Sequence, residues 1–224
     1  MSFRKQTGNM YDWVTHTWNV IKGKCQHDCL YCYMKIWGEL KPLRFDEKEM
    51  GRVLGSDNFI FVGSSTDMWA KDVPDIWIQK VLRHCFDYRR NEYLFQSKNP
   101  QRFITMQGSI GVNCTLGTTI ETNRDYKISN APKIIDRTKS IRECKTQVIC
   151  HTMVTIEPII DFDLYEFVDL IKLAAPHWVN IGADSKNHGL PEPSYQKVIE
   201  LIEALKKFTE VRKKSNLERL KKVY

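Results

Sequence analysis

Three cysteines in the stretch Cys25-Gln26-His27-Asp28-Cys29-Leu30-Tyr31-Cys32 carry the clearest chemistry in this 224-residue chain. The spacing Cys-x3-Cys-x2-Cys puts three thiols in one short loop. Three thiolates hold three irons of a 4Fe–4S cluster, whereas a saturated cluster takes four cysteines, so the fourth iron is left open to a chelating ligand. A zinc site instead needs four ligands, normally two close pairs about 12–20 residues apart. His27 lies inside the loop, but after Cys32 the next Cys or His residues are His84 and Cys85. Structural zinc is therefore the weaker alternative. Disulfide frameworks belong to small secreted domains, and seven cysteines is an odd count. The N-terminal Met-Ser-Phe-Arg-Lys-Gln-Thr-Gly has no apolar signal-peptide core. The expected setting is a reducing cytoplasm.

The elements that must position this loop are readable from hydrophobic pattern. Short β-rich runs alternate with helical periodicity, which argues for βα units and a parallel sheet. Strands are expected over residues 17–21, 59–62, 93–96, 115–121, 148–156 and 178–181. The run Phe59-Ile60-Phe61-Val62 is continuously apolar, as in a strand buried on both faces. Pro74 opens a helix with Ile76, Trp77, Val81, Leu82 and Cys85 at helical spacing. Further helices are expected after Pro100, over 134–144, after a cap at Asp161 or Asp163, and from about Ser194. Six βα units are too few for an eight-stranded barrel. In parallel β/α architectures ligands sit at the carboxyl ends of the strands, so the polar residues just after each run become the candidates for binding.

Composition narrows the partners. An apolar fraction of 42% is ordinary for a soluble globular protein, and no apolar run reaches the length of a membrane helix; no membrane association is expected. The chain reads as a single domain over 1–224. Its charge is uneven: from Lys206 onward there are eight Lys or Arg against two Glu, a net of +6 out of the +7 of the whole chain. A basic helix and tail over about 194–224 suits contact with nucleic acid, or is simply a solvated helix end.

The order and spacing of the cysteines, with the aromatic Tyr31 before the last thiol, resemble the signature of radical S-adenosylmethionine enzymes. The resemblance implies a partial (β/α)6 barrel whose cluster loop, here residues 23–35, follows the first strand. It implies two cofactors, a 4Fe–4S cluster held by Cys25, Cys29 and Cys32, and S-adenosylmethionine chelating the open iron. One electron, from a reductant such as flavodoxin or ferredoxin, then cleaves the sulfur–C5′ bond, and the resulting 5′-deoxyadenosyl radical abstracts hydrogen from substrate.

The same resemblance suggests roles for residues at the strand ends. Gly63-Ser64-Ser65-Thr66-Asp67 stands where the superfamily binds the methionyl ammonium, although a plain βα turn with a helix cap reads the same way. The Thr66-Asp67 pair is similar to the matching segment of spore photoproduct lyase-like proteins. Lys98, which often has a counterpart in that group, would neutralise the cofactor carboxylate or a substrate phosphate, or be a solvated loop lysine. Glu121 and Asn123 share one strand face; Glu121 would bond ribose hydroxyls or pair with Arg124. Glu157 and Gly182 fall where adenine contacts occur. Tyr31, Tyr33 and Trp37 would pack on adenine or shield the cluster, and Trp37 reads equally well as a core residue. Residues 119–123, Thr155-Ile156-Glu157-Pro158 and 179–184 resemble a phage-associated radical-SAM group of unassigned function.

Isolated cysteines are mostly small buried hydrophobes, but one can serve as a hydrogen-atom donor in the pocket. Cys114 is the leading candidate and Cys150 the second. The substrate is expected to be a nucleoside or nucleic acid, with a peptide or small molecule as alternatives. The rival class is a non-catalytic metal-binding nucleic-acid module. On the enzyme reading, deleting residues 211–224 is expected to weaken nucleic-acid binding and leave cofactor cleavage largely intact.

Overall fold

In the computed structural model, which describes residues 4–5 and 10–222, strands and helices alternate along the chain. In order they are β1 (Arg4–Lys5), β2 (His16–Trp18), β3 (Ile21–Lys22), β4 (Arg44–Phe45), α1 (Glu47–Met50), β5 (Phe59–Val62), α2 (Asp75–Asp87), β6 (Glu92–Gln96), α3 (Gln101–Thr105), β7 (Cys114–Thr119), α4 (Ile134–Gln147), β8 (His151–Ile156), α5 (Leu164–Ala174), β9 (Trp178–Ile181), α6 (Tyr195–Leu205) and β10 (Glu210–Lys213). One sheet runs β1-β2-β5-β6-β7-β8-β9-β10, and β3 pairs separately with β4. Only β1 is antiparallel to its neighbour; the other seven strands of the sheet run parallel. Each parallel strand lies beside the next one in sequence, the singly wound order of a β/α barrel left open. The fold is α/β, a partial barrel with parallel strands.

Strand periodicity divides the core in two. Along β5, Ile60 and Val62 pack with α2 residues Ile78, Val81 and Leu82 in the main core, whereas Phe61 faces the concave side. There Phe61, Leu94, Met153 and Trp178 form a smaller cluster closed by Tyr11 and Val14 from the segment before β2. Gly117 in β7 makes room for it: a Cβ there would come within 2.7 Å of the Met153 side chain. The helices follow their signals. Pro74 precedes α2 with φ −60°, and Ser194 caps α6 by accepting from the Lys197 N–H. Asp163 precedes α5 but does not cap it; its carboxylate instead takes Arg124 and Asn123.

Two expectations are corrected. The first strand ends at Trp18 rather than residue 21, because Asn19 turns the chain toward the cluster loop and its side chain accepts from Ser65 N at 2.9 Å. The basic segment is neither a solvated helix end nor a free tail. Its first half is β10, a seventh parallel strand paired with β9 (Val211 opposite Val179, Arg212 opposite Asn180), and Leu217 and Leu220 beyond it are buried.

Candidate functional site

The loop from Gly23 onward is built by close backbone approaches. Gly23 has φ +112°, and a Cβ on it would strike the Pro42 carbonyl oxygen at 2.4 Å, so only glycine fits. Its carbonyl accepts the Thr66 hydroxyl, and Lys24 N donates to Lys41 O. On the far side Leu30 N donates to Ile128 O and Asn130 N to His27 O. The loop is thus held between the turn after β5 and the segment before α4.

This places the cysteines on a cavity of about 700 Å³ at the carboxyl ends of the parallel strands. Cys25, Cys29 and Cys32 all line it and all are free thiols, Cys29 buried and the other two partly exposed. Also on its wall are Tyr31, Tyr33, Lys98 and Glu157, together with the whole turn from Gly63 to Asp67. Tyr11 and Phe61 form an apolar floor. Burial pushes the Cys25 thiol up to about 12, with the Asp67 carboxylate adding to it. Burial likewise raises Cys29, while the Lys98 ammonium opposes that rise.

The donor set fits an iron–sulfur cluster. Three free, soft sulfur donors from one loop face a cavity with room for a cluster and a small molecule together. Among the described residues no group of three His, Cys, Asp or Glu side chains closes on a single metal ion, whereas a cluster takes one thiolate per iron from donors spread around it. Thiolates are the ligating species, so loading such a site releases protons.

Asp67, read from sequence as a ligand contact, is the organising residue of this wall. Its Oδ2 accepts from His27 Nε2, Ser97 Oγ and Lys98 N, each at 2.9 Å, and its Oδ1 accepts from Trp69 N at 2.9 Å. Burial works against its charge, yet these bonds, led by His27, hold Asp67 below the usual carboxylate range. The bond from His27 pins the centre of the cysteine loop to the ends of β5 and β6. Asp67→Ala is therefore expected to cost about 3 kcal/mol of stability, since a buried donor left without its partner costs about 1–3 kcal/mol. Chemical denaturation checks this, and a loss under about 1 kcal/mol would show the carboxylate to be peripheral.

Three of the strand-end candidates, Glu121, Asn123 and Gly182, lie off the cavity wall. Glu121 is fully buried, accepting from Arg137 Nη1 at 3.0 Å and from the Tyr31 hydroxyl, with Lys98 Nζ 3.9 Å away. Its partner is Arg137, not Arg124, and it holds Tyr31 rather than facing the cavity. Burial disfavours its charge, but Arg137 and Lys98 outweigh that and keep Glu121 low. Asn123 is spent on Asp163, accepting from its N–H. Gly182 backs Glu157: a Cβ would lie 2.8 Å from the Glu157 Cδ. Glu157 in turn pairs with Lys214 at 2.7 Å and Asn216 at 3.1 Å.

Cys114 is corrected outright. It begins β7, at the end of the sheet away from the cavity, and forms a disulfide with Cys150. Thr115 pairs with His151 across adjacent parallel strands, so the residues before them are neighbours. The intervening helix hides that proximity in the sequence. Neither cysteine is a hydrogen donor in the cavity. Cys85 and Cys144 are free and buried, as isolated cysteines generally are.

Sequence reading missed His27, Asn19 and Lys214. Only His27 had a local signal, its position inside the cysteine loop; the other two are brought in by long-range contacts. Trp37, by contrast, is largely exposed on the short 3-10 helix after the loop and is absent from the cavity wall.

Fold and site define a parallel α/β partial barrel with a three-thiol cavity at its carboxyl face. No family model matches the chain, and no curated protein does. Among solved structures it shares the fold of spore photoproduct lyase. A Tyr-to-Phe mutant of that enzyme superposes with a TM-score of 0.68 at 9% identity, over 93% of this chain and 78% of that one. A Cys-to-Ser mutant gives 0.64 at 11%, over 90% and 63%. A double mutant with bound AdoMet and dinucleoside spore photoproduct gives 0.62 at 12%, over 91% and 64%. The chain thus spans a little under two thirds of the last two. Among the described residues no helix is long and apolar enough to cross a membrane.

Proposed function

We propose that this protein is a radical S-adenosylmethionine enzyme acting on a nucleoside or nucleic acid. The observation that carries the reading is the position of Cys25, Cys29 and Cys32, three free thiols of matching order and spacing, on a cavity at the carboxyl ends of parallel strands. These three would each hold one iron of a 4Fe–4S cluster, and the turn Ser64–Asp67 with Tyr33 would hold S-adenosylmethionine beside it. When bound, the pair supplies a 5′-deoxyadenosyl radical that takes hydrogen from substrate, given one electron from a donor such as flavodoxin or ferredoxin.

The protein's own groups prepare the site. Lys98 brings positive charge to the thiol wall: burial alone would lower its pKa, but Cys29 and Glu121 outweigh burial and raise it, keeping the ammonium charged. That ammonium also lies 5.1 Å from the centre of the Tyr31 ring. The Tyr33 hydroxyl donates to Ser64 O at 3.0 Å and so ties the loop to the cofactor turn. Tyr11, bonded to Gln96 at 2.8 Å, seals the floor against water from below. The nucleic-acid choice rests on the fold shared with an enzyme seen with a dinucleoside photoproduct, and on the lysines of the cavity wall. A base in a duplex would have to leave the stack to reach such a cavity. Likeness to the phage-associated group is part of the same reading.

Anaerobic reconstitution with iron and sulfide tests it. The expected product is brown, holds about four irons per chain, and changes its reduced electron paramagnetic resonance spectrum when S-adenosylmethionine is added. A colourless protein that takes up zinc and binds nucleic acid would establish the rival structural module instead.

A further inference from the structure

The loop after β9 builds a feature that cofactor binding does not call for. Asp184 is buried, and its carboxylate accepts from Lys186 N at 3.1 Å, from His188 N, and from His188 Nδ1 at 2.6 Å. Its own N–H donates to Glu192 Oε1, and Arg219 bonds both Asp184 O and Glu192. Asn216 fastens the same loop through Ala183 and Ser185. The His188 ring is therefore fixed: Nδ1 carries a hydrogen toward Asp184, and Nε2 has no hydrogen-bond partner among the described residues. His188 and Lys186 both line the cavity.

Charge pairing singles out the same place. Of the five lysines on the cavity wall, Lys35 pairs with Asp28, Lys98 with Glu121 and Lys214 with Glu157. Lys24 makes no salt bridge among the described residues but lies within electrostatic reach of Asp28, whereas Lys186 has no carboxylate partner among them. Lys24 stands on the cysteine loop and Lys186 at the end of β9, near the opposite edge of the sheet. An unpaired ammonium beside an oriented imidazole suits an anion: the lysine supplies charge, and a ring with hydrogens on both nitrogens donates one to Asp184 and the other outward.

We propose that Lys186 and His188 form a phosphate-binding subsite that holds the sugar–phosphate backbone of the substrate on the wall facing the cysteine loop. The proposal rests on the nucleic-acid reading and gives that reading an address. Asp184 is the positioning residue and makes no substrate contact.

The test compares a short oligothymidylate with its uncharged methylphosphonate of the same sequence, titrated against the cluster-loaded protein at one fixed salt concentration. S-adenosylmethionine affinity is measured alongside. The intact protein is expected to prefer the phosphate oligomer. His188→Gln and Lys186→Met should each weaken phosphate binding by roughly tenfold or more, as for a hydrogen bond to a charged group. Methylphosphonate binding and S-adenosylmethionine affinity should stay constant, and Lys186→Met, which breaks no hydrogen bond among the described residues, should melt like the parent. If the intact protein prefers phosphate and the variants keep that preference, the subsite is wrong and the nucleic-acid reading stands. If S-adenosylmethionine affinity falls in step with phosphate binding, the loop is a cofactor contact and the proposal is overturned. If the intact protein binds neither oligomer, the nucleic-acid reading fails and the subsite with it.

Discussion

Removal of residues 211–224 is expected to abolish cooperative folding, not merely to trim a basic tail. Leu217 and Leu220 are each 3% exposed, and burying a leucine contributes about 1.5–3 kcal/mol. Together they are worth roughly 3–6 kcal/mol, a large part of the 5–15 kcal/mol that holds a typical domain together. The deletion also strips β9 of its outer neighbour and removes two partners of Glu157, Lys214 and Asn216. A thermal melt followed by circular dichroism should show a broad, low transition or insoluble protein. Leu217→Ala is the milder form of the experiment, with an expected cost of about 2–5 kcal/mol. A truncated protein melting like the parent would mean that β10 and the residues after it are accessory. Nucleic-acid binding by this segment is better sought with charge-reversal variants of exposed lysines than by truncation.

The second large effect concerns the ion pair under the site. Arg137→Met leaves the buried Glu121 carboxylate without its main cationic partner, and breaking a buried pair from one side costs about 3–5 kcal/mol. Glu121 also fixes Tyr31, between Cys29 and Cys32, so the variant should load iron less completely as well as unfold earlier in denaturant. The pH dependence follows from the sign of the shift. Glu121 is held below the ordinary glutamate value of 4.5 in the folded protein, so its pairing stabilises at pH above that value and is lost as pH falls through the depressed folded value. The stability gap between parent and Arg137→Met should be full at neutral pH and narrow as pH falls below 4.5. A gap under about 1 kcal/mol at neutral pH, or one that widens in acid, would show that Lys98 and Tyr31 suffice for Glu121.

Local signals in the sequence were sufficient for much of this architecture. The apolar run 59–62, the run 178–181 and the Pro74 signal each coincide with an element, because strand burial and helix capping are decided by neighbouring residues. The cysteine loop was legible for the same reason, with all three thiols inside eight residues. Long-range pairings were not. Glu210-Val211-Arg212-Lys213 reads as a charged tail and becomes a strand only because β9 offers it an edge. Glu121 finds Arg137 across the end of β7, and Cys114 finds Cys150 across the β7–β8 register; neither spacing announces its partner. Asp67 lies on the cavity wall, but sequence could not show that its oxygens are already taken by His27, Ser97, Lys98 and Trp69.

The central claim is that the thiols of Cys25, Cys29 and Cys32 hold a cluster whose open iron serves S-adenosylmethionine. The most direct test is 5′-deoxyadenosine formed under anaerobic conditions with dithionite and S-adenosylmethionine, measured for the iron-loaded parent and for Cys25→Ala, Cys29→Ala and Cys32→Ala. The parent should release 5′-deoxyadenosine and each variant essentially none. Absence of product from a fully iron-loaded parent, or equal product from Cys29→Ala, would contradict the account.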